Sequence, residues 1–344
     1  MKARMLSASL VSLVALVAAG CGGASDTKNA SASGGGSGGT KLALVAYSTP
    51  QVVYDQLIPA FRKTAAGKGT SFSESFGASG DQSRAVESGQ PADVVAFSLA
   101  TDVTRLVKAG IVADTWASAP HKGMVSDSVV ALVVRKGNPK HIKTWADLLK
   151  PGVQVLTPNP FTSGSARWNL MAAYGAQLKE GKSAAQALAY IKELITKHVV
   201  VQDKSGRDAL NTFTSGKGDV LLSYENEAIT AQQKGKKVDY VIPDDTILIE
   251  NPIAVTKSSK HPTEAQAFVD YALSPAGQQV YADHGYRPVD KAVFAKNAKT
   301  FPIPKRLFTI DDLGGWDKVA TDFFDPANGL FAKVEAAAGV STAK

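Results

Sequence analysis

The chain has 344 residues, 44% of them apolar and 20% charged. That length holds two ordinary domains with cores, and that balance excludes a disordered chain. The formal charge of +7 is scattered, with no Lys/Arg block long enough for a nucleic-acid arm, so no nucleic-acid partner is expected. A single cysteine, Cys21, excludes an internal disulfide.

At the N-terminus Lys2 and Arg4 precede a short apolar run over residues 6–19. The run is too short to span a membrane comfortably, so residues 1–20 read as a secretory signal peptide. Cys21 follows in LVAAGC, which resembles a bacterial lipobox. The resemblance implies cleavage before Cys21 and lipid attached to it, which would anchor the mature protein outside the cytoplasm. Residues 21–40, rich in Gly and Ser, cannot bury apolar surface and read as a flexible tether. Structure is expected from Lys41 onward, and a real signal peptide would exclude cytoplasmic metabolism.

The body alternates strand and helix patterns. KLALVAY (41–47) is an apolar strand. PQVVYDQLIPAFRKTA (50–65) places Val53, Leu57 and Phe61 on one helical face, with Thr49 as the expected cap and Pro50 in the first turn. Residues 70–76 alternate weakly, 92–98 form a buried-type strand, and a helix follows near 101–108. A longer strand is expected over 127–137 and a short one over 153–157. Helices are expected over 166–178 and 183–195, and short strands over 198–202, 219–224 and 238–243. This order predicts an α/β fold with mostly parallel sheets covered on both faces. VVALVVRKGNP and ILIENPIAVTKSSK are long extended segments. Read as crossovers, they insert a second lobe (131–249) into a first (41–130 plus 250–320). A ligand cleft lies between the lobes, and 321–344 forms a C-terminal helical tail.

Five loops that open helices share a polar composition: YSTP (47–50), GASGDQS (77–83), FTSGSAR (161–167), DKSGRDA (203–209) and SYENE (223–227). In the first four, Ser or Gly stands at or before the first turn. A first turn has unpaired N–H groups and the positive end of the helix dipole. Gly lets a ligand approach the backbone, and a Ser hydroxyl adds a donor, so the set suits an oxyanion. Any one such loop alone reads as an ordinary N-cap.

Signals for catalysis are missing. There is no Gly-x-Ser-x-Gly elbow. Gly181-Lys182-Ser183 resembles the end of a phosphate-binding loop, but Ala176 stands where that loop needs Gly, so it reads as a surface turn. His121, His141, His198, His261 and His284 are isolated and show no metal-ligand spacing. Asp81, Glu225 and Glu227 could be general bases, but helix-start caps and solvated charges are the favoured reading. No enzyme activity, cofactor or metal is expected. A secreted hydrolase of phosphate or sulfate esters, the competing class, would need a nucleophile with its base or a metal.

GASGDQSRAVESGQPADVV, VRKGNPKHIKTWADLLKPGVQVLTPNPFTSGSARWNLMAAYG, NTFTSGKGDVLLSYENEA, SPAGQQVYADHGYRPVD and LFTIDDLGGWDKV together resemble the periplasmic sulfate-binding proteins of ABC importers. The resemblance implies a type II fold of two lobes that close like a hinge on one dehydrated sulfate, held by neutral donors. It implies a monomer whose partners are an ABC permease and its ATPase. Carried across, it assigns a hydroxyl and an N–H to Ser79 and donors to Ser163, Gly164 and Ser165. Gly206 and Arg207 supply backbone N–H groups, and Tyr224 stands where the family has a donating Trp. Ser48 stands in place of an Asp, Ser165 in place of a Gly, and Asp81 in place of a Lys. Asp81 is expected to point outward along its helix. These departures leave thiosulfate, or another tetrahedral oxyanion such as phosphate or molybdate, as the alternative ligand.

Overall fold

The computed structural model describes residues 39–342. The expected signal peptide, Cys21 and nearly all of the tether lie outside the described residues. Among those described, no helix is long and apolar enough to cross a membrane.

The chain enters on β1 (Lys41–Tyr47) and continues through α1 (Gln51–Phe61), β2 (Ser71–Gly77), α2 (Ser79–Glu87), β3 (Val94–Ala96) and α3 (Ala100–Lys108). β1 pairs in parallel with β2 and β3. Its alternation sends Leu42, Leu44 and Ala46 into one core and Val45 into another, beside Val95, Val103 and Leu106. A strand buried on both faces must be apolar at nearly every position, as KLALVAY is. α1 stops four residues short of the expected end, where the Thr64 hydroxyl donates to the Phe61 carbonyl. Pro50, not Thr49, is its cap residue, and the Thr49 hydroxyl meets that of Tyr286 instead.

β4 (Met124–Arg135) leads into the second lobe. There follow β5 (Val155–Leu156), α4 (Gly164–Lys179), α5 (Ala184–Glu193), β6 (Val199–Val201), α6 (Gly206–Thr214), β7 (Val220–Tyr224), α7 (Glu225–Gln233) and β8 (Val238–Val241). β9 (Asp245–Val255) leads back, to α8 (Pro262–Leu273), α9 (Pro275–Asp283) and α10 (Lys291–Lys296). The strand order is β2-β1-β3-β9-β4-β7-β5-β6. β4 pairs with β9 near the hinge and with β7 and β8 farther on, while β9 ends beside β3. The two long extended segments of the sequence are therefore neighbouring strands between the lobes. They run antiparallel because one enters the second lobe and the other leaves it, so each lobe's sheet is mixed and not purely parallel.

The chain closes with β10 (Arg306–Phe308), α11 (Gly315–Asp322) and α12 (Leu330–Ala337). Here the expected boundary needs correction. Residues 306–320 do not complete the first lobe. Phe308, Ile310 and Val319 join Phe323, Phe331 and Val334 in the second lobe's core, against Met171, Tyr174 and Ile191. The reason is packing: the Phe308 ring fills the space a side chain at Gly175 would take, and Tyr174 meets the rings of Phe323 and Phe331 edge-on.

α12 also buries a carboxyl. Gln202 Nε2 donates to Glu335 Oε2 at 2.7 Å, and Glu335 Oε1 has no partner among the described residues. Burial pushes this carboxyl up to about 7 from its ordinary 4.5. The folded state thus binds the proton more tightly than the unfolded chain. The stability this contributes is complete below about 4.5 and is lost as pH rises through about 7. Glu335→Gln keeps an acceptor for Gln202 and removes the charge. We expect it to raise Tm at pH 8 by roughly 2–4 °C and to leave Tm at pH 5 nearly unchanged, measured by calorimetry. Burial beside Glu250 also pushes Asp127 up to about 7, so the variant's pH slope should shrink without vanishing.

Candidate functional site

Parallel strands place the loops at their C-terminal ends on one edge of each sheet, and in open α/β sheets ligands bind there. The two lobes turn these edges toward each other. The loop after β1 opens α1, and the one after β2 opens α2. The loop after β3 opens α3, and those after β5 and β6 open α4 and α6. They close around a very small space lined by Ser, Thr, Gly and Ala residues with Tyr47. No charged side chain lines this space.

First-turn N–H groups have no acceptor within their own helix. Ser79 begins α2, Gly164 and Ser165 begin α4, and Gly206 and Arg207 begin α6. Three helix N-termini from two lobes thus meet at one cavity, each presenting unpaired donors and a positive dipole end. Small residues permit the meeting. A Cβ on Gly164 would fall 2.6 Å from Ser98 Oγ and 2.9 Å from Leu99 Cγ, across the cleft. A Cβ on Gly206 would fall 2.9 Å from Ser165 Oγ.

The hydroxyls divide into those already engaged and those able to reach inward. Ser79 is a correction: its hydroxyl donates to Asp102 Oδ2 at 2.7 Å and accepts from the Ser98 N–H at 2.9 Å, so only its backbone N–H remains for a ligand. Ser205 caps α6, accepting from the Asp208 N–H and donating to its carboxylate. Ser163 and Ser165 lie Oγ to Oγ at 2.8 Å. One proton joins such a pair and the other is free to donate. Ser48 lines the cavity from the loop before α1.

Tyr224 is a second correction. It does not line the cavity, and its hydroxyl meets Ser98 Oγ at 2.7 Å. Burial pushes its phenol well above the ordinary range, so it stays a neutral group. Ser98 is the residue that sequence reasoning missed. The second lobe grips it through Tyr224 on its hydroxyl and Trp168 Nε1 on its carbonyl at 2.8 Å, and Asn251 donates to the same carbonyl. A signal was present in the sequence: AFS ends a buried strand just before a helix. With no Gly beside it, that loop was not grouped with the others.

Every nearby charge is turned away. The Arg207 guanidinium bonds Glu227 at 3.0 Å and the Thr49 carbonyl of the other lobe at 2.7 Å. This side chain does not line the cavity. Glu225 pairs with Arg287. Asp81 pairs with Arg84 on its own helix and with Lys204 of the other lobe. The sequence also gave no weight to Arg167. It is buried near the start of α4, its Nε donates to the Pro160 carbonyl at 2.8 Å, and its guanidinium lies over Phe324. Burial pushes it down to about 10, so it is still a cation at neutral pH.

Ser79→Ala should weaken anion binding by about 1–3 kcal/mol, because it strands the buried Ser98 N–H and one Asp102 oxygen. Calorimetric titration measures this. Unchanged affinity would mean that the Ser98 loop holds its place without Ser79.

Known proteins resemble this chain in sequence and fold. The family model of the bacterial extracellular solute-binding proteins matches residues 42–287. A sulfate-binding protein of Synechococcus elongatus is 43% identical over 340 residues, covering 96% of this chain and 95% of its own. A thiosulfate-binding protein of Pseudomonas aeruginosa is 36% identical, covering 84% of this chain and 90% of its own. The solved structure of the sulfate-binding protein SubI from Mycobacterium tuberculosis is 46% identical, with a TM-score of 0.81, covering 83% of this chain and 100% of that one. The chain therefore belongs to the bacterial extracellular solute-binding proteins, in their sulfate-binding group, with the type II two-lobe fold and the role of a binding protein, not an enzyme.

Proposed function

We propose that this protein captures sulfate outside the cytoplasmic membrane and delivers it to the permease and ATPase of an ABC importer. The carrying observation is a cavity lined from both lobes by helix-start N–H groups and hydroxyls, with no carboxylate entering it. Sulfate at neutral pH is a dianion that only accepts hydrogen bonds. Phosphate usually keeps a proton and needs an acceptor, which this lining offers only through hydroxyl oxygens that are better used as donors. The donors are the N–H groups of Ser79, Gly164, Ser165, Gly206 and Arg207, with hydroxyls from Ser98, Ser48 and the Ser163–Ser165 pair. Tyr224 acts through Ser98. Contacts from both lobes favour the closed form, so binding drives closure. The protein works as a monomer, tethered by lipid on Cys21.

Calorimetric titration at pH 7.5 tests this, using sulfate, thiosulfate, phosphate and molybdate after unfolding and refolding to strip bound ligand. Sulfate heat without phosphate heat is expected. Phosphate heat without sulfate heat would overturn the assignment, and tighter thiosulfate than sulfate binding would move it to thiosulfate.

A further inference from the structure

We propose that Asp81 and Lys204 form a latch across the cleft that slows the escape of bound anion without touching it. The inference rests on the receptor reading above, in which the lobes part and close. Asp81 is the third residue of α2 in the first lobe, and Lys204 stands two residues before the start of α6 in the second. Their ion pair measures 3.0 Å, and neither side chain lines the cavity. It is reinforced locally. The Gly80 N–H donates to the Thr162 carbonyl across the cleft at 3.2 Å, and the Thr162 hydroxyl donates to the Lys204 carbonyl at 2.7 Å. The start of α2 is thus fastened to both leading loops of the second lobe.

Arg84 stays with Asp81 whether the lobes are open or shut, since both lie on α2. Lys204 joins only when they shut. A contact made in one of two states biases the equilibrium toward that state. A trapped ion leaves only after the lobes part, so the bias is read in the release rate. The pair also offsets a difficulty: Asp81 alone would set a negative charge close to an anion site.

The test is the release of labelled sulfate from the lipid-free body under a chase of unlabelled sulfate. Asp81→Asn and Lys204→Gln should each speed release by about twofold to fivefold, the range of exposed ion pairs. The double variant should be no faster than either single one. High salt should bring the unaltered protein up to the variants' rate and move the variants little. The sulfate-to-thiosulfate affinity ratio should not change. Simple field effects give another pattern: Asp81→Asn would slow release and Lys204→Gln would speed it. That pattern, or unchanged rates, would overturn the latch and leave the receptor reading intact. No sulfate bound by the unaltered protein would overturn both.

Discussion

Gly164→Asp should abolish sulfate binding, raising Kd by at least about 1,000-fold, or about 4 kcal/mol. Two effects combine. The first is steric: even a Cβ at this position would fall within 2.6–2.9 Å of Ser98 and Leu99, so the lobes could not meet as they do. The second is electrostatic. Gly164 opens α4 and lines the cavity proposed to hold the anion. A carboxylate there would take the helix-start donors for itself and repel the dianion. Gly164→Ala separates the two, since it carries only the steric part and should retain measurable binding. Titration calorimetry on both variants, with circular dichroism to confirm folding, decides the matter. Normal binding by Gly164→Asp would place the site elsewhere.

Glu225→Gln should lower folding stability by about 3–5 kcal/mol, measured by urea denaturation. Glu225 is fully buried at the start of α7, and Arg287 is 3% exposed in the segment after α9. Two bonds join them, at 2.7 and 3.1 Å, and the guanidinium also donates to the Pro302 carbonyl. Neutralising the acid strands a cation in the interior. Replacing both residues with Met should cost less than the single change, because no unpaired charge remains. Equal losses for the two variants would show that packing, not charge pairing, sets the value of this contact.

The architecture was legible because hydrophobic period survives in a single sequence. The helices over 50–65 and 183–195 carry that period, KLALVAY and the helix over 166–178 stood out as apolar runs, and the two hinge strands as long extended ones. The site was legible at the level of composition: four Ser/Gly loops each announced a donor at a helix start. The aim of a side chain was not legible. Ser79 and Tyr224 turn toward Asp102 and Ser98, partners that only the folded chain brings near, and nothing local to either residue records that choice. The tail misled for a similar reason. Phe308 is apolar wherever it packs, and the lobe it covers is set by the gap left at Gly175.

Most of the donors proposed for this cavity belong to the main chain. Every residue type except proline carries the same N–H, so ordinary substitutions at Arg207 leave the donor count untouched, whereas Gly206 is held by the space beside Ser165. Preference among oxyanions is therefore shielded from gradual drift. A descendant of this chain could change its cargo by two routes: shifting a whole helix start, or exchanging one of the few hydroxyls at Ser48, Ser98, Ser163 and Ser165. Those four serines are where a search for altered selectivity should begin.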